Sequence, residues 1–242
     1  MSLQRSRRAL VPELMDTELV SFEDFRECLR DLSQANVLSL GYRPTLTFLD
    51  DLRRAGRLPT GRPVRILDVG SGYGDTLRHV WRWAAANHVQ VALVGVDLNP
   101  WSARAAREAT PATMDIEWVT ANVFDYAETA EPADVIVSAL FTHHLADEDV
   151  VRFVAWMEQK AGVAWFVNDL HRAHVAHGFF RGFSSIMPWH RFVRHDGPVS
   201  IARAFRHRDW ARTLRLAKVS PEGARTRWFF PYRLCVERVR SA

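Results

Sequence analysis

The chain has 242 residues, of which 48% are hydrophobic, and a formal net charge of +4. This length suits one domain with a substantial core, and no apolar run reaches the roughly 18 residues that a membrane span needs. The N-terminus lacks the apolar segment of a signal peptide, so we expect a cytoplasmic protein. The positive charge is nearly all arginine, scattered among acidic residues, which weakens the case for nucleic acid as a partner.

From residue 64 onward, short apolar runs alternate with longer amphipathic segments. Strands are predicted at "VRILDVG", "VQVALVGVDLNP", "IEWVTANVF", "ADVIVSALF" and "VAWFVNDL". Helices are predicted between them, including "DTLRHVWRWAAANH", "SARAAREATP" with Ser102 as its N-cap, and "DEDVVRFVAWMEQKAG". Near-continuous apolar strands that alternate with helices are typical of a parallel sheet covered on both faces.

The C-terminal part departs from this alternation. "LRLAKVS" and "TRWFFPYRLCVERV" are predicted as two strands joined by "PEGAR", a hairpin that would end the sheet with one antiparallel strand. Residues 1–60 are predicted to form a helical N-terminal cap, and residues 61–242 the main domain. Within that domain, residues 171–206 form a long aromatic and histidine-rich insertion, which is predicted to be a lid.

The stretch "ILDVGSGYGD" places Gly70, Gly72 and Gly74 directly after the first strand. Open parallel sheets bind ligands beyond the carboxyl ends of their strands. Gly70 would permit a tight turn, Gly72 would let a ligand approach the backbone, and Gly74 would allow close packing. The spacing is one residue shorter than that of dinucleotide sites, and Asp68 precedes it inside the strand. A nicotinamide-dependent reductase is therefore disfavoured.

The stretch instead resembles the first motif of class I S-adenosylmethionine-dependent methyltransferases, acid-x-G-x-G-x-G. Three further motifs follow in order within roughly residues 62–170: "VGVDLNP", "TANVFD" and "VIVSALFTHHL". The resemblance implies an α/β fold with a Rossmann-like seven-stranded sheet in the order 3-2-1-4-5-7-6, strand 7 antiparallel and helices on both faces. It also implies methyl transfer with S-adenosylmethionine as the cofactor.

The resemblance assigns roles to the residues of these motifs. Asp97 would accept hydrogen bonds from the ribose hydroxyls, and Leu98 would pack on the adenine. Asn122 would face the adenine amino group, with Val123 offering a backbone N–H. Arg43 would either reach the methionine carboxylate or lie on the surface. The predicted cofactor site comprises Asp68, Gly70, Gly72, Gly74, Asp97, Leu98, Asn122, Val123, Ser138, Leu140 and Arg43.

Two histidines and an aspartate come at the ends of neighbouring strands. His143 and His144 follow strand four, and Asp169 ends strand five. A histidine oriented by a carboxylate is a sound general base, and the pattern is similar to the dyad of some small-molecule O-methyltransferases. We predict His143 as the base with Asp169 behind it and His144 as the alternate. Either histidine could instead cap a helix or pack under the lid.

The insertion is predicted to contact the methyl acceptor through four residues: His171, Arg172, Phe183 and Trp189. It is similar to that of bacterial methyltransferases that accompany type III polyketide synthases, which implies a hydrophobic, hydroxylated and phenolic small molecule as acceptor. The aromatic side chains could equally be packing of the lid. His174 and His177 have i,i+3 spacing, but no Asp, Glu or Cys nearby completes a ligand set, so we expect no metal.

Other functions stay open at this point. C-methylation of a quinone-type precursor also needs a base and an apolar cleft. Nucleic-acid methyltransferases that modify amino groups carry a Pro-Pro-aromatic motif after strand four, where this chain reads "SALF". Neither Cys28 nor Cys235 lies near the cleft motifs as a nucleophile for cytosine. A binding protein without activity is compatible with the same motifs. We expect a monomer or a homodimer.

Overall fold

A computed structural model describes residues 8–129 and 131–240 of the chain. The strands are β1 (Val64–Val69), β2 (Val91–Asp97), β3 (Ile116–Thr120), β4 (Val135–Ala139), β5 (Ala164–Leu170), β6 (Ala224–Phe229) and β7 (Arg233–Val239). They form one seven-stranded sheet in the order β3-β2-β1-β4-β5-β7-β6. β7 runs antiparallel to β5 and β6, and the other neighbouring pairs are parallel. The predicted strand order and the antiparallel strand are confirmed.

Helices flank the sheet in the sequence positions that a doubly wound fold requires. They are α1 (Leu14–Thr17), α2 (Phe22–Leu38), α3 (Arg43–Arg54), α4 (Asp75–Ala86), α5 (Pro100–Ala109), α6 (Val123–Thr129), α7 (Asp147–Lys160), α8 (His174–Ile186), α9 (Arg191–Arg203) and α10 (His207–Leu216). A 3₁₀ turn, Thr142–His144, follows β4. None of the helices in the described part of the chain combines the length and apolarity of a membrane span.

The two faces of the sheet bury separate clusters, because successive strand residues point to opposite sides. On one face, Leu67 of β1 belongs to a cluster that includes Trp210 of α10. On the other, Ile66 belongs to a cluster with α3, whose Phe48 ring stacks on Phe166 of β5 at a centroid distance of 4.6 Å. α3 therefore packs on the sheet itself. It lies within residues 1–60, the segment predicted to form an N-terminal helical cap.

The remaining helices, α1, α2, α8 and α9, pack on one another beside the sheet. Trp189 and Phe192 share a buried cluster with Cys28 of α2. The N-terminal segment is fixed to α9 by Asp196, whose carboxylate accepts hydrogen bonds from the N–H groups of Leu14 and Met15 at 2.9 and 3.1 Å. α9 also contacts the turn at residues 142–144. The predicted insertion and the first helices thus form one cover, which we call the helical cover (α1, α2, α8 and α9).

The C-terminal hairpin differs from the prediction. The hairpin consists of β6 and β7, joined at residues 230–232, and "LRL" of "LRLAKVS" lies in the last turn of α10. A strand would place Leu214 and Leu216 on one face, since they are two residues apart. In the structure Leu214 packs against the core and Leu216 is 53% exposed, which is the arrangement of an amphipathic helix.

The start of α5 also differs from the prediction. The helix begins at Pro100, and the Asn99 side chain accepts a hydrogen bond from the N–H of Trp101. Asn99 is therefore the N-cap, and Ser102 is a buried residue of the first turn. Proline has no N–H to lose and a φ suited to the helix, so it fixes the start at the first helical position.

Gly74 lets the start of α4 pack closely against Trp118 of β3. Its φ is +72°, and a Cβ on it would come within 2.3 Å of the Trp118 ring. We expect Gly74→Ala to lower the free energy of unfolding by about 2–4 kcal/mol, because an L-residue is strained at this φ and the buried indole would have to move. Urea unfolding of wild type and variant measures the difference.

Gly61→Ala is the matched control for that measurement. Gly61 has a φ of +79°, but a Cβ on it would meet nothing within 4 Å. The free energy of unfolding of the control should fall only by the cost of placing an L-residue in the left-handed backbone, about 1–2 kcal/mol. Equal losses from the two substitutions would show that contact with Trp118 does not constrain position 74.

Candidate active site

The loop after β1 has a left-handed backbone at all three glycines. The φ angles are +71° at Gly70, +49° at Gly72 and +72° at Gly74. A Cβ on Gly70 would lie 2.6 Å from the Phe141 ring, so this position is closed by packing. A Cβ on Gly72 would meet nothing within 4 Å. The backbone at Gly72 therefore borders open space, where a ligand can approach it.

A cavity of about 730 Å³ lies at the carboxyl ends of the parallel strands. Its wall combines the glycine loop, the end of β2, the segments after β3 and β4, and the helical cover. Both the size and the position are those of ligand sites in open α/β sheets. The predicted cofactor residues that line it are Asp68, Gly70, Gly72, Asp97, Leu98, Asn122, Val123 and Leu140.

Asp97 holds the glycine loop in place. Its carboxylate accepts hydrogen bonds from the N–H groups of Gly72 and Asn99, both at 2.9 Å. Burial raises the pKa of Asp97, and these backbone hydrogen bonds oppose the rise. A carboxylate has about four acceptor positions, so Asp97 keeps capacity for hydroxyl donors. The adjacent Leu98 is 73% exposed and offers an apolar surface to a flat ring.

Asp68 is a buried acceptor at the foot of the cavity. Its side chain is almost wholly buried, and its Oδ1 has no hydrogen-bond partner among residues 8–129 and 131–240. Burial, and then the carboxylates of Asp75 and Asp97, raise the pKa of Asp68 well above its usual range. An ammonium group on a ligand suits this position, because it would donate a hydrogen bond and bring compensating charge.

His143 and Asp169 form a buried pair at the cavity wall. His143 Nδ1 lies 2.7 Å from Asp169 Oδ1, and the carboxylate also accepts from the Thr142 hydroxyl and from the N–H groups of His143 and Leu170. Burial opposes the ionisation of Asp169, but His143 and these hydrogen bonds hold the pKa of its carboxyl below the usual range. An ionised carboxylate can only accept, so Nδ1 carries a proton, and in the neutral imidazole Nε2 has the lone pair.

Two arginines fix the backbone of the histidine turn. Arg203 of α9 donates to the carbonyl oxygens of His143 and His144 at 3.0 and 2.8 Å. Arg8 donates to those of His143 and Leu145 at 3.1 and 3.0 Å. The turn that presents the histidines is therefore held from the N-terminal segment as well as from α9.

Glu13 is a cavity residue that the sequence did not indicate. It is 5% exposed, and its Oε1 accepts from the Ser200 hydroxyl at 2.8 Å. The same oxygen lies 3.7 Å from His143 Nε2, and Oε2 lies 3.9 Å from His144 Nε2. Glu13 is far from these histidines along the chain, so no local spacing could have indicated the contact.

Arg233 is a second residue that the sequence did not indicate. It opens β7, lines the cavity and donates to Asn36 Oδ1 at 2.9 Å. Burial lowers the pKa of Arg233, and nearby anionic groups such as Asp169 oppose the fall. Arg43, the predicted partner of the methionine carboxylate, is exposed at the first residue of α3 and does not line the cavity. A polar residue at the start of an apolar strand, as in "YRLCV", was the available sign of Arg233.

Three more predicted residues lie away from the cavity. Ser138 is buried, and its hydroxyl donates to the Val69 carbonyl at 2.9 Å. Gly74 contacts Trp118, so it serves packing. Trp189 lies in the cluster around Phe192, as expected for a packing residue of the cover.

The residues predicted to bind the acceptor separate in the structure. His171 lines the cavity, and its pKa is lowered by burial and by the neighbouring cationic groups. Arg172 is wholly buried elsewhere: it donates to the Ala204 carbonyl at 3.0 Å and pairs with Asp209 at 2.7 Å. It therefore ties the end of β5 to α10 and does not reach the cavity, which corrects the expectation. The side chain of Phe183 lies outside the described residues.

The central part of the chain matches a known protein family. Residues 66–162, from β1 to just beyond α7, match the family model of a methyltransferase domain. These residues form a methyltransferase domain. Its cofactor is S-adenosylmethionine, and the match begins at the strand that carries the glycine loop. No curated protein matches the chain.

Solved structures share the fold of this methyltransferase across most of its length. The plantazolicin methyltransferase BpumL in complex with SAH is 12% identical, with a TM-score of 0.65 over 90% of this chain and 96% of that chain. The magnesium protoporphyrin IX methyltransferase ChlM from Synechocystis PCC 6803 with bound SAH is 14% identical, with a TM-score of 0.52 over 93% and 89%. At these identities the likeness concerns the fold.

Asp68→Asn should separate stability from cofactor binding. Without ligand, we expect the variant to be more stable than wild type by about 1–3 kcal/mol where Asp68 is ionised, because the amide has no charge to desolvate. The folded-state pKa is raised, so the wild type should lose stability as pH rises through it, and the variant should lack this loss. Affinity for S-adenosylhomocysteine should fall at least about tenfold, since its ammonium loses a charged acceptor.

Denaturant unfolding over a pH series and calorimetric titration measure these two effects. Glu117→Gln, at an exposed position of β3, is the control for the loss of one carboxylate and should change neither. A variant that binds S-adenosylhomocysteine as tightly as wild type would show that Asp68 does not contact the ligand.

Proposed function

We propose that this methyltransferase transfers a methyl group to an oxygen of a hydrophobic, hydroxylated and phenolic small molecule, with His143 as the general base and Asp169 as its support. The observation that carries the proposal is the buried contact of 2.7 Å between His143 Nδ1 and Asp169 Oδ1. The other ring nitrogen, Nε2, lies 3.7 Å from Glu13 Oε1, and both residues line the cavity whose wall also contains the glycine loop.

The cavity residues fit the cofactor by charge and by hydrogen-bonding capacity. Asp97 would accept from the ribose hydroxyls and Asp68 from the ammonium group, with Leu98 against the adenine. Asp68, Asp75 and Asp97 all line the cavity, which gives this part of its wall an acidic character suited to a cation. When bound, S-adenosylmethionine would supply a methyl group on a positively charged sulfur. The acceptor oxygen would bond to the methyl carbon in line while the carbon–sulfur bond breaks, and its electron pair would leave on the sulfur of S-adenosylhomocysteine.

His143 supplies the acid–base chemistry in this proposal. The Asp169 carboxylate accepts from four protein donors, one of which is the Nδ1–H of the His143 ring, so Nε2 is the nitrogen that can take a proton. As the acceptor O–H bond breaks, its proton moves to Nε2 and its electron pair becomes available for attack on the methyl carbon. Asp169 then stabilises the imidazolium cation.

The part of the cavity formed by the helical cover supports an apolar acceptor. Phe25 and Leu29 of α2 face it, as do Phe179 and Phe180 of α8. His171 lies at its edge with Nδ1 unpaired among the residues that the structure describes, so it can exchange a hydrogen bond with a polar group of the acceptor.

Two further points support a small-molecule acceptor over nucleic acid. The insertion resembles that of methyltransferases that accompany type III polyketide synthases, which favours a phenolic product. The solved neighbours are named for plantazolicin and for magnesium protoporphyrin IX. We propose that the helical cover, including most of residues 171–206, closes the acceptor end of the cavity.

The acidity of the acceptor tests the role of His143. On weakly acidic phenols, His143→Ala should lower kcat by about 10²–10⁴-fold, because proton removal loses its base. On phenols that are already ionised at the assay pH, the loss should be much smaller. Affinity for S-adenosylhomocysteine should hardly change, since the base faces the acceptor. Steady-state kinetics over a series of phenols measures the dependence.

His144→Ala is the matched comparison, since His144 lines the same cavity one residue further on. It should lower kcat by less than about tenfold and equally across the series. A uniform loss in His143→Ala would contradict general-base catalysis by His143. An acidity-dependent loss confined to His144→Ala would assign the base to His144. A C-methylated product, identified by NMR, would overturn O-methylation.

A further inference from the structure

Glu13, His143 and His144 bring three metal-ligand atoms together at the cavity wall. These atoms all lie within 4.8 Å of one another. The Glu13 oxygens are 3.7 Å from His143 Nε2 and 3.9 Å from His144 Nε2, which is too long for hydrogen bonds. Two ligands at about 2.1 Å from a zinc ion and at the tetrahedral angle lie about 3.4 Å apart. The three ligand atoms are at most 4.8 Å apart, so side-chain movements that shorten these distances by up to about 1.4 Å would let them share one ion.

His143 and Glu13 already have the outer partners that metal sites require. Asp169 accepts from His143 Nδ1–H at 2.7 Å, which fixes the ring and leaves Nε2 as the ligand. The Ser200 hydroxyl donates to Glu13 Oε1 at 2.8 Å, which orients the carboxylate. A carboxylate behind a ligating histidine is the usual outer contact of such sites. His143 and Glu13 are thus held in place without the ion.

The ligand set indicates the class of ion. Two imidazole nitrogens and one carboxylate oxygen suit a divalent transition-metal ion, whereas Mg²⁺ and Ca²⁺ favour oxygen ligands. Glu13 and His143 are buried and His144 is half-buried, yet all three line the cavity. Three protein ligands would leave the fourth position of a tetrahedral ion open to that cavity.

We propose that Glu13, His143 and His144 bind a divalent transition-metal ion such as Zn²⁺, and that this ion inhibits methyl transfer. The binding site stands on the geometry alone, whereas the inhibition rests on the proposed function of His143. One lone pair on Nε2 cannot hold both an ion and the proton of the acceptor, so occupation by metal removes the base. The ion also fills the space beside Nε2 that the acceptor hydroxyl needs.

Calorimetric titration with ZnCl₂ tests the binding site. The intact protein, treated with EDTA and saturated with S-adenosylhomocysteine, should bind one Zn²⁺ ion. Glu13→Gln and His144→Asn should each weaken this binding at least about tenfold, the loss expected when one ligand is removed. His88→Asn should bind as wild type, because His88 is exposed beyond the C-terminal end of α4 and lies outside the cluster. Absence of a 1:1 site, or equal binding by all variants, would overturn the metal site.

Steady-state kinetics with added ZnCl₂ tests the inhibition. Zn²⁺ should lower kcat of the wild type at concentrations near its dissociation constant, and EDTA should restore the rate. Glu13→Gln should need at least about tenfold more Zn²⁺ for the same fractional inhibition of its own metal-free rate. Zn²⁺ that binds at the cluster without slowing transfer would overturn the base role of His143 and leave the site standing. If the wild type binds no Zn²⁺ while the loss of kcat in His143→Ala depends on the acidity of the acceptor, the metal site is overturned and the base role of His143 stands.

Discussion

The site depends on one buried carboxylate. Asp169 is completely buried and accepts hydrogen bonds from Thr142, His143 and Leu170, so it joins the turn after β4 to the end of β5. A carboxylate is stable in such a place only when its acceptor positions are filled, and each lost partner costs more than the bond contributes. The turn therefore has little freedom, and the orientation of the His143 ring follows from the satisfaction of Asp169.

Two arginines connect the turn after β4 to the N-terminal segment and to α9. The carbonyl oxygens of residues 143–145 are free of regular sheet pairing, and Arg8 and Arg203 satisfy them. Those arginines come from the N-terminal segment and from α9, so the same hydrogen bonds that complete the turn also attach the helical cover. Glu13 reaches the histidines as a result of this attachment, with Ser200 of α9 holding its carboxylate. The candidate active site and the helical cover are therefore joined by one network of hydrogen bonds.

Sequence motifs predicted the features of the fold and the site that depend on residues close together along the chain. The first five strands and the glycine loop follow from contiguous motifs, the sheet order was implied by the resemblance to class I methyltransferases, and the strand ends placed His143 beside Asp169. Contacts between distant segments could not be predicted in this way. Glu13 and Arg233 reach the cavity only through the packing of the helical cover and of β7, and Arg172 is buried by its pairing with Asp209. "LRLAKVS" fits both a strand and a helix period, and in the structure Leu214 packs against the core while Leu216 is exposed, as a helix requires.

The N-terminal attachment bears on the order in which the molecule folds. Arg8 donates to the Arg203 carbonyl across 195 positions of sequence, and Ser200 meets Glu13 across 187. Contacts between residues so far apart in sequence form late, because closing a long loop costs conformational entropy. On the ribosome the α/β layers up to β5 emerge before α9 exists to receive the N-terminal segment. Arg8 and Glu13 therefore lack these partners through most of synthesis, and the histidine turn gains its contacts with them only near the end.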